Sequence, residues 1–154
     1  MSLDAIFTRL NPGISWILRS PLHFLLSPAL MLITVTGRRS GRRYTIPVGY
    51  QRDGDGDGLV VMVSYARRKQ WWRNYREPGP VVLRLRGREL RGRARVVPPD
   101  SEAFRRHAEA SFRRMPWLGS QFGIDTRRGT GLSEAQVLHL GREGAIVGIE
   151  LDGA

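Results

Sequence analysis

The chain has 154 residues, 41% hydrophobic and 25% charged, which fits one soluble domain with a buried core. It contains no cysteine, which excludes a disulfide framework, a thiolate zinc site and a cysteine nucleophile. The net charge of +11 comes almost wholly from arginine, with Lys69 the one lysine, and favours an anionic partner: a phosphorylated cofactor, an acidic tail, nucleic acid or an anionic membrane.

In chain order, residues 3–27 read as helical, broken at Asn11-Pro12-Gly13. The apolar run from Ile14 to Val35 is interrupted by Arg19, Pro21, His23 and Pro28, which fits a spanning helix badly. Short helices that pack on the core are expected, with a membrane surface as the alternative. Residues 31–36 (MLITVT) are β-branched and apolar, a strand. A turn, Gly37-Arg38-Arg39-Ser40-Gly41, follows. Residues 44–51 read as a second strand, with Pro47 placing it at a sheet edge or a bulge. DGDGDG at 53–58 is a hairpin loop, and residues 59–65 (LVVMVSY) are the third strand.

Residues 67–76 (RRKQWWRNYR) predict a short helix closed by Pro78-Gly79. Residues 81–86 and 89–97 predict a hairpin around Gly87, with apolar and arginine residues alternating at a period of two. A helix is expected from an N-cap at Asp100 or Ser101 to about Met115. Residues 116–131 read as a loop or lid carrying Trp117 and Phe122. Residues 136–140 and 145–151 predict a last hairpin around Arg142-Glu143-Gly144. About seven hairpin-connected strands without βαβ alternation predict a mainly β fold with flanking helices, a small closed or split barrel. One domain over 1–154 is expected, with 1–27 an N-terminal helical segment.

Several chemistries find no anchor. Asp53, Asp55 and Asp57 sit at alternate positions as in a calcium loop, but Ser64 stands where the bidentate glutamate belongs. His23, His107 and His139 have no ligand spacing, so no metal site is expected. Ser64 lacks a nucleophile elbow. The arginine ribbon at 84–97 has the charge for nucleic acid but no accompanying binding motif, and a solvated strand face accounts for it. The 37–41 turn is the strongest feature. Backbone N–H groups, a hydroxyl and two guanidinium forks there would suit a phosphate. Ser64 at a strand end and Trp71, Trp72 and Asn74 just after it would supply a flat wall and a polar edge, and together these make a cofactor site.

The ordered set Thr36-Gly37-Arg38-Arg39-Ser40-Gly41, Pro47, Val61-Met62-Val63-Ser64, Trp71, Asn74 and Pro78 resembles the deazaflavin (F420)-dependent nitroreductases, or nitroreductase/quinone reductases, of actinobacteria. The resemblance covers roughly residues 10–100, and the upstream stretch LRSPLHFLLSPALMLITVTGRRSGR shares it. It implies a split β-barrel related to FMN-binding flavin reductases and pyridoxamine-phosphate oxidases. It also implies hydride transfer from reduced F420 to a nitroaromatic, quinone or enone. By that resemblance Arg38, Arg39 and Ser40, in the turn that Gly41 completes, hold the cofactor's phosphate and acidic tail. Pro47, Val48, Met62, Val63 and Ser64 line the deazaflavin, and Trp71 and Asn74 close the site. Ser64 is the candidate catalytic contact at the ring edge or the acceptor. Residues 65–70 depart from the family, being shorter and without its proline, so FMN stays open as the alternative cofactor. A ligand-binding protein without turnover, and a basic module on membrane or nucleic acid, are the rival classes. The expected setting is cytoplasmic, with a small-molecule acceptor as partner and the N-terminal helices as a possible membrane contact.

Overall fold

A computed structural model describes residues 30–53, 58–127, 129 and 131–153. The expected helices of residues 3–27 lie outside them. Seven antiparallel strands form one sheet in the order β2-β1-β5-β6-β7-β4-β3. These are β1 (Leu30–Thr36), β2 (Arg43–Gly49), β3 (Gln51–Arg52), β4 (Leu59–Val63), β5 (Gly79–Leu85), β6 (Arg88–Val96) and β7 (Ala145–Leu151). The sheet curls until β2 and β4 touch without pairing, which leaves a half-barrel split along that seam.

The β-branched run of β1 makes it a central strand, paired from Leu30↔Gly49 to Thr36↔Arg43 with β2 and through Ile33↔Leu83 with β5. Pro47 is in β2, an edge strand, where a missing N–H breaks no ladder. The expected second strand is two pieces. It breaks at buried Tyr50, after which Gln51 and Arg52 leave β1's hairpin and pair with Val60 and Leu59. In β5, Val81, Leu83 and Leu85 point inward, and the exposed arginines of β6 alternate with buried Gly92 and Ala94. The β5–β6 turn is two residues long, Arg86 at φ 51° and Gly87 at φ 76°, as a tight hairpin with native twist requires.

One apolar cluster fills the barrel, with Met31, Ile33, Val61, Val63, Leu83, Val147 and Ile149 among its members. A second lies on the outer face of β4 and β7, where Val60 and Ile146 meet Phe104, Ala108 and Phe112 of helix α1 (Glu102–Arg114). The Ser101 hydroxyl caps α1 by accepting from the Phe104 N–H.

Three expectations are corrected. Residues 136–140 are no strand but lie in helix α2 (Glu134–Glu143). Ser133 and Gln136 form a reciprocal capping box that starts a helix, and β7 takes β4 and β6 as its partners instead. The tryptophan helix is two 3₁₀ turns, Ala66–Arg68 and Trp71–Tyr75, because the backbone between them is extended at Lys69, φ −106° and ψ 139°. Part of the supposed 116–131 loop, Pro116–Phe122, is a 3₁₀ helix. Among the described residues no helix is long and apolar enough to cross a membrane.

Candidate active site

The split between β2 and β4 opens into a cavity of about 680 Å³, within the range that holds a small ligand. One wall is Ile46, Pro47 and Val48 of β2. The other is Val61, Met62 and Val63 of β4 with Ser64 just beyond it. Arg68, Lys69, Gln70 and Trp71 form one rim, and Met115, Trp117, Leu118 and Gln121 another. Ser64 is one of few buried polar residues, at 8% exposure. The end of β4 holds it at the cavity wall, and the left-handed Tyr65 sends the chain off to the rim.

The rim is stiffened by its aromatics. Trp72 donates its indole N–H to the Ala66 carbonyl at 2.9 Å, and the guanidinium groups of Arg73 and Arg76 lie over its ring at 5.7 and 5.4 Å. Trp71 is buried, and its carbonyl accepts from the Asn74 side-chain NH₂ at 3.0 Å.

The arginine turn is closed on itself. The Gly37 N–H donates to the Arg42 carbonyl, the Gly41 N–H to the Gly37 carbonyl, and the Arg42 N–H to the Ser40 hydroxyl. Gly41, at φ 69°, supplies the left-handed residue this path needs. The glycine N–H groups expected to face an anion are thus spent inside the turn. Arg38 is also engaged: its guanidinium donates to the Glu77 carboxylate at 3.0 Å and to the Glu77 carbonyl. Arg39 and Ser40 are exposed.

The expected site residues therefore fall into two groups. Pro47, Val48, Met62, Val63, Ser64 and Trp71 share the cavity. Arg38, Arg39, Ser40, Gly41 and Asn74 lie outside its lining and connect to it through one relay. The Asn74 side-chain oxygen accepts the Arg38 N–H at 3.0 Å, and the same side chain hydrogen-bonds the Tyr44 hydroxyl, which lines the cavity. Burial raises the Tyr44 pKa above its usual 10, with the Asn74 bond opposing the shift. The buried Tyr75 phenol beside it is pushed up to about 12, chiefly by burial. Both stay protonated at neutral pH.

Sequence reasoning passed over Tyr44, Arg68, Lys69, Met115, Leu118 and Gln121 as site residues. Only the period of two in β2, which puts Tyr44 on the Ile46 and Val48 face, could have found one of them. Trp117 and Phe122 part company. Trp117 is half exposed on the rim, whereas Phe122 is buried edge-on against Phe112. Of the histidines, His107 lies 3.8 Å from the Asp53 carboxylate, and His139 contacts the Phe122 carbonyl at 3.0 Å. His23 is outside the described residues, as are Asp55 and Asp57 of the DGDGDG loop.

A family model, the F420H(2)-dependent quinone reductases, matches residues 22–117, a span that includes the arginine turn, both cavity walls and the tryptophan rim. The chain belongs to that family. It is an oxidoreductase family, its cofactor is F420, and its substrates are small molecules. No protein of curated function matches the chain in sequence. Among solved structures it is similar to an F420-H2 dependent reductase, FDR-A, at 16% identity, over 79% of this chain and 94% of that one, with a TM-score of 0.54. It is similar also to a domain-swapped dimer at 14% identity, over 90% and 99% of the two chains, with a TM-score of 0.54. A general stress FMN/FAD binding protein from Xanthomonas citri follows at 14% identity, over 82% and 78%, with a TM-score of 0.48. At such identities the likeness is one of fold, the split barrel. The residues on hand fit F420: apolar cavity walls that would take its ring, buried Ser64 beside them, and cations on the rim and in the nearby turn that would meet its phosphate and acidic tail.

Proposed function

We propose that this member reduces a quinone, with nitroaromatics and enones as further acceptors, in the cavity between β2 and β4. When bound, reduced F420 supplies a hydride, and the acceptor takes up a proton as well. The chain's residues bind, orient and exclude water. Pro47, Val48, Met62 and Val63 form the apolar wall for the ring. The Ser64 hydroxyl contacts the ring edge or the acceptor. Trp71 closes the slot. Arg39 and Ser40 hold the phosphate and acidic tail, with Arg38 and Gly41 fixing the turn that presents them and Asn74 tying that turn to the cavity. Arg68 and Lys69 add charge at the rim. Tyr44, a phenol that is protonated at neutral pH, can donate a hydrogen bond at the cavity wall.

The observation that carries this reading is the single cavity that joins an apolar slot, buried Ser64 and a cationic rim. It is tested by fluorescence titration with F420 and, in parallel, with FMN, using wild type and Arg39→Ala. Micromolar F420 binding that the variant weakens at least about tenfold is expected, since an Arg–phosphate contact is a strong, charge-assisted one. Binding of FMN alone would keep the cavity and change the cofactor. Binding of neither would return the arginine turn to a solvated loop.

A further inference from the structure

The cavity lining carries charge of one sign. Arg68 and Lys69 belong to it, and no Asp or Glu does. Other arginines of the described residues are matched with carboxylates: Arg38 with Glu77, Arg67 with Glu143, Arg127 with Asp125. Arg68 is exposed and has no carboxylate within ion-pair distance among the described residues. Its guanidinium lies over the Tyr65 ring at 5.8 Å. An arginine that rests on an aromatic ring at the mouth of an apolar cavity keeps its fork of donors for a ligand.

This charge stands on the β4–β7 side of the sheet. The arginine turn belongs to the other side, where Arg38 is bonded to Asn74 and Glu77 just before the start of β5. Arg68 is in the 3₁₀ turn that Arg67 fastens to the end of α2, through the Arg142 carbonyl at 3.3 Å and the Glu143 carboxylate at 3.4 Å. The segment that bears Trp117 is seated at the same junction: a Cβ at Gly144 would come within 2.8 Å of the Phe122 ring and 3.0 Å of the Val63 carbonyl oxygen. Trp117 lines the cavity and is 49% exposed, so half of its indole is open to a ligand. The turn has Arg39, Arg42 and Arg43, all exposed, to offer a phosphate and an acidic tail. The Arg68 guanidinium and the flat face of Trp117 are left for a second ligand.

We propose that the cavity selects acceptors that are both planar and anionic: an aromatic quinone carrying an acidic substituent, a carboxylate or sulfonate, with its rings on Trp117 and its acid group on Arg68. The net charge of +11 draws such a molecule to the protein, and the unmatched guanidinium decides where its acid group settles. The inference rests on the quinone-reductase reading and adds the substrate class to it.

Two probes of nearly one shape isolate the charge: naphthalene-2-sulfonate and its neutral sulfonamide, neither of which takes a hydride. Their binding is measured by equilibrium dialysis to the protein saturated with oxidised F420. Wild type should prefer the sulfonate by about tenfold, the scale of one charge-assisted pair, and less so at high salt. Arg68→Gln should lose the preference and Arg68→Lys keep part of it. Trp117→Ala should weaken both probes alike by about fivefold, the scale of one aromatic stack. Arg88→Gln removes the same charge from an exposed residue of β6 outside the cavity lining and should change neither. A preference that survives Arg68→Gln, or that Arg88→Gln lowers equally, overturns the proposal, since the field of the whole protein would then account for it. An Arg68→Gln variant that keeps the preference and loses more than about twofold in F420 affinity overturns it too, by giving the cation to the cofactor. If wild type binds no F420, or binds it and reduces no quinone, the quinone-reductase reading fails first and takes this inference with it. If it does both and shows no preference for the sulfonate, this inference alone falls.

Discussion

The Arg38 N–H, in the turn after β1, donates at 3.0 Å to the side chain of Asn74, in the turn of 3₁₀ helix that follows Trp71. The same side chain reaches the Tyr44 hydroxyl in the cavity and the Trp71 carbonyl. One amide thus joins the charged turn to the apolar slot, across 36 residues of sequence. Asn74→Leu keeps the size and removes every one of these bonds. F420 binding should weaken by about tenfold, as befits the loss of a hydrogen bond or two. Titration at two salt concentrations checks it. An affinity equal to wild type would mean that the turn is held without Asn74.

Ser64 is buried just beyond the end of β4, and its proposed contact can be tested apart from folding. Ser64→Ala should leave the melting temperature within about 2 °C, since a small neighbour replaces a small residue. The same change should lower kcat/KM for a quinone by at least about tenfold, the effect of one missing polar contact to the reacting groups. Steady-state kinetics beside a thermal melt would distinguish that outcome from a wall residue of no consequence.

Gly92 of β6 pairs with Leu151 of β7, and a Cβ there would sit 2.2 Å from the Glu150 carbonyl oxygen. The obstacle is backbone, so it cannot swing aside. Gly92→Ala should cost about 3 kcal/mol of stability, as overpacking does. Arg86 is the opposite case. It occupies a left-handed position, φ 51°, that glycine or asparagine fills with less strain. Arg86→Gly should stabilise the hairpin or leave it unchanged, in spite of glycine's greater freedom when unfolded. Urea unfolding of the two variants beside wild type reads both signs.

Burial holds the His107 pKa below its ordinary 6.5. Asp53 at 3.8 Å opposes that shift, and Arg106 and Arg95 add to it. The folded protein therefore resists protonating a group that the unfolded chain protonates readily. The unfolded state binds the extra proton, so stability is full above about pH 6.5 and declines as the pH falls through that value. Thermal melts between about pH 8 and pH 5 should show the decline, and His107→Gln should flatten it. An equal slope in the variant would assign the pH dependence to the carboxylates.

Tyr75 titrates in the other direction. Its hydroxyl donates to the Pro80 carbonyl at 3.2 Å, and its pKa is pushed up to about 12 from 10. Above pH 10 the unfolded chain loses this proton first, so stability should decline there, with the loss complete once the folded pKa is passed. Tyr75→Phe should retain more of its stability at alkaline pH than wild type, as measured by denaturant midpoints on either side of pH 10.

Pro47, Val48, Met62 and Val63 were legible as ring-lining residues only through the family resemblance, whereas local chemistry was enough to read most of the strands, the β5–β6 turn and the capped helix after Pro99. These follow from periods of two, from β-branched runs and from residues that stop or start an element, all of which act within a few positions. The same chemistry misled at 136–140, where an apolar pair within QVLHL fits a strand as well as a helix. The capping box from Ser133 to Gln136 decides for the helix. Only the curl of the sheet set β2 against β4 and enclosed a cavity between strands that do not pair. Only tertiary contacts gave Arg38 to Glu77 and Asn74 and spent the glycine N–H groups inside their own turn. The reason is physical: periodicity determines which face of a strand is buried, but a partner 36 residues away is chosen by how the whole sheet closes.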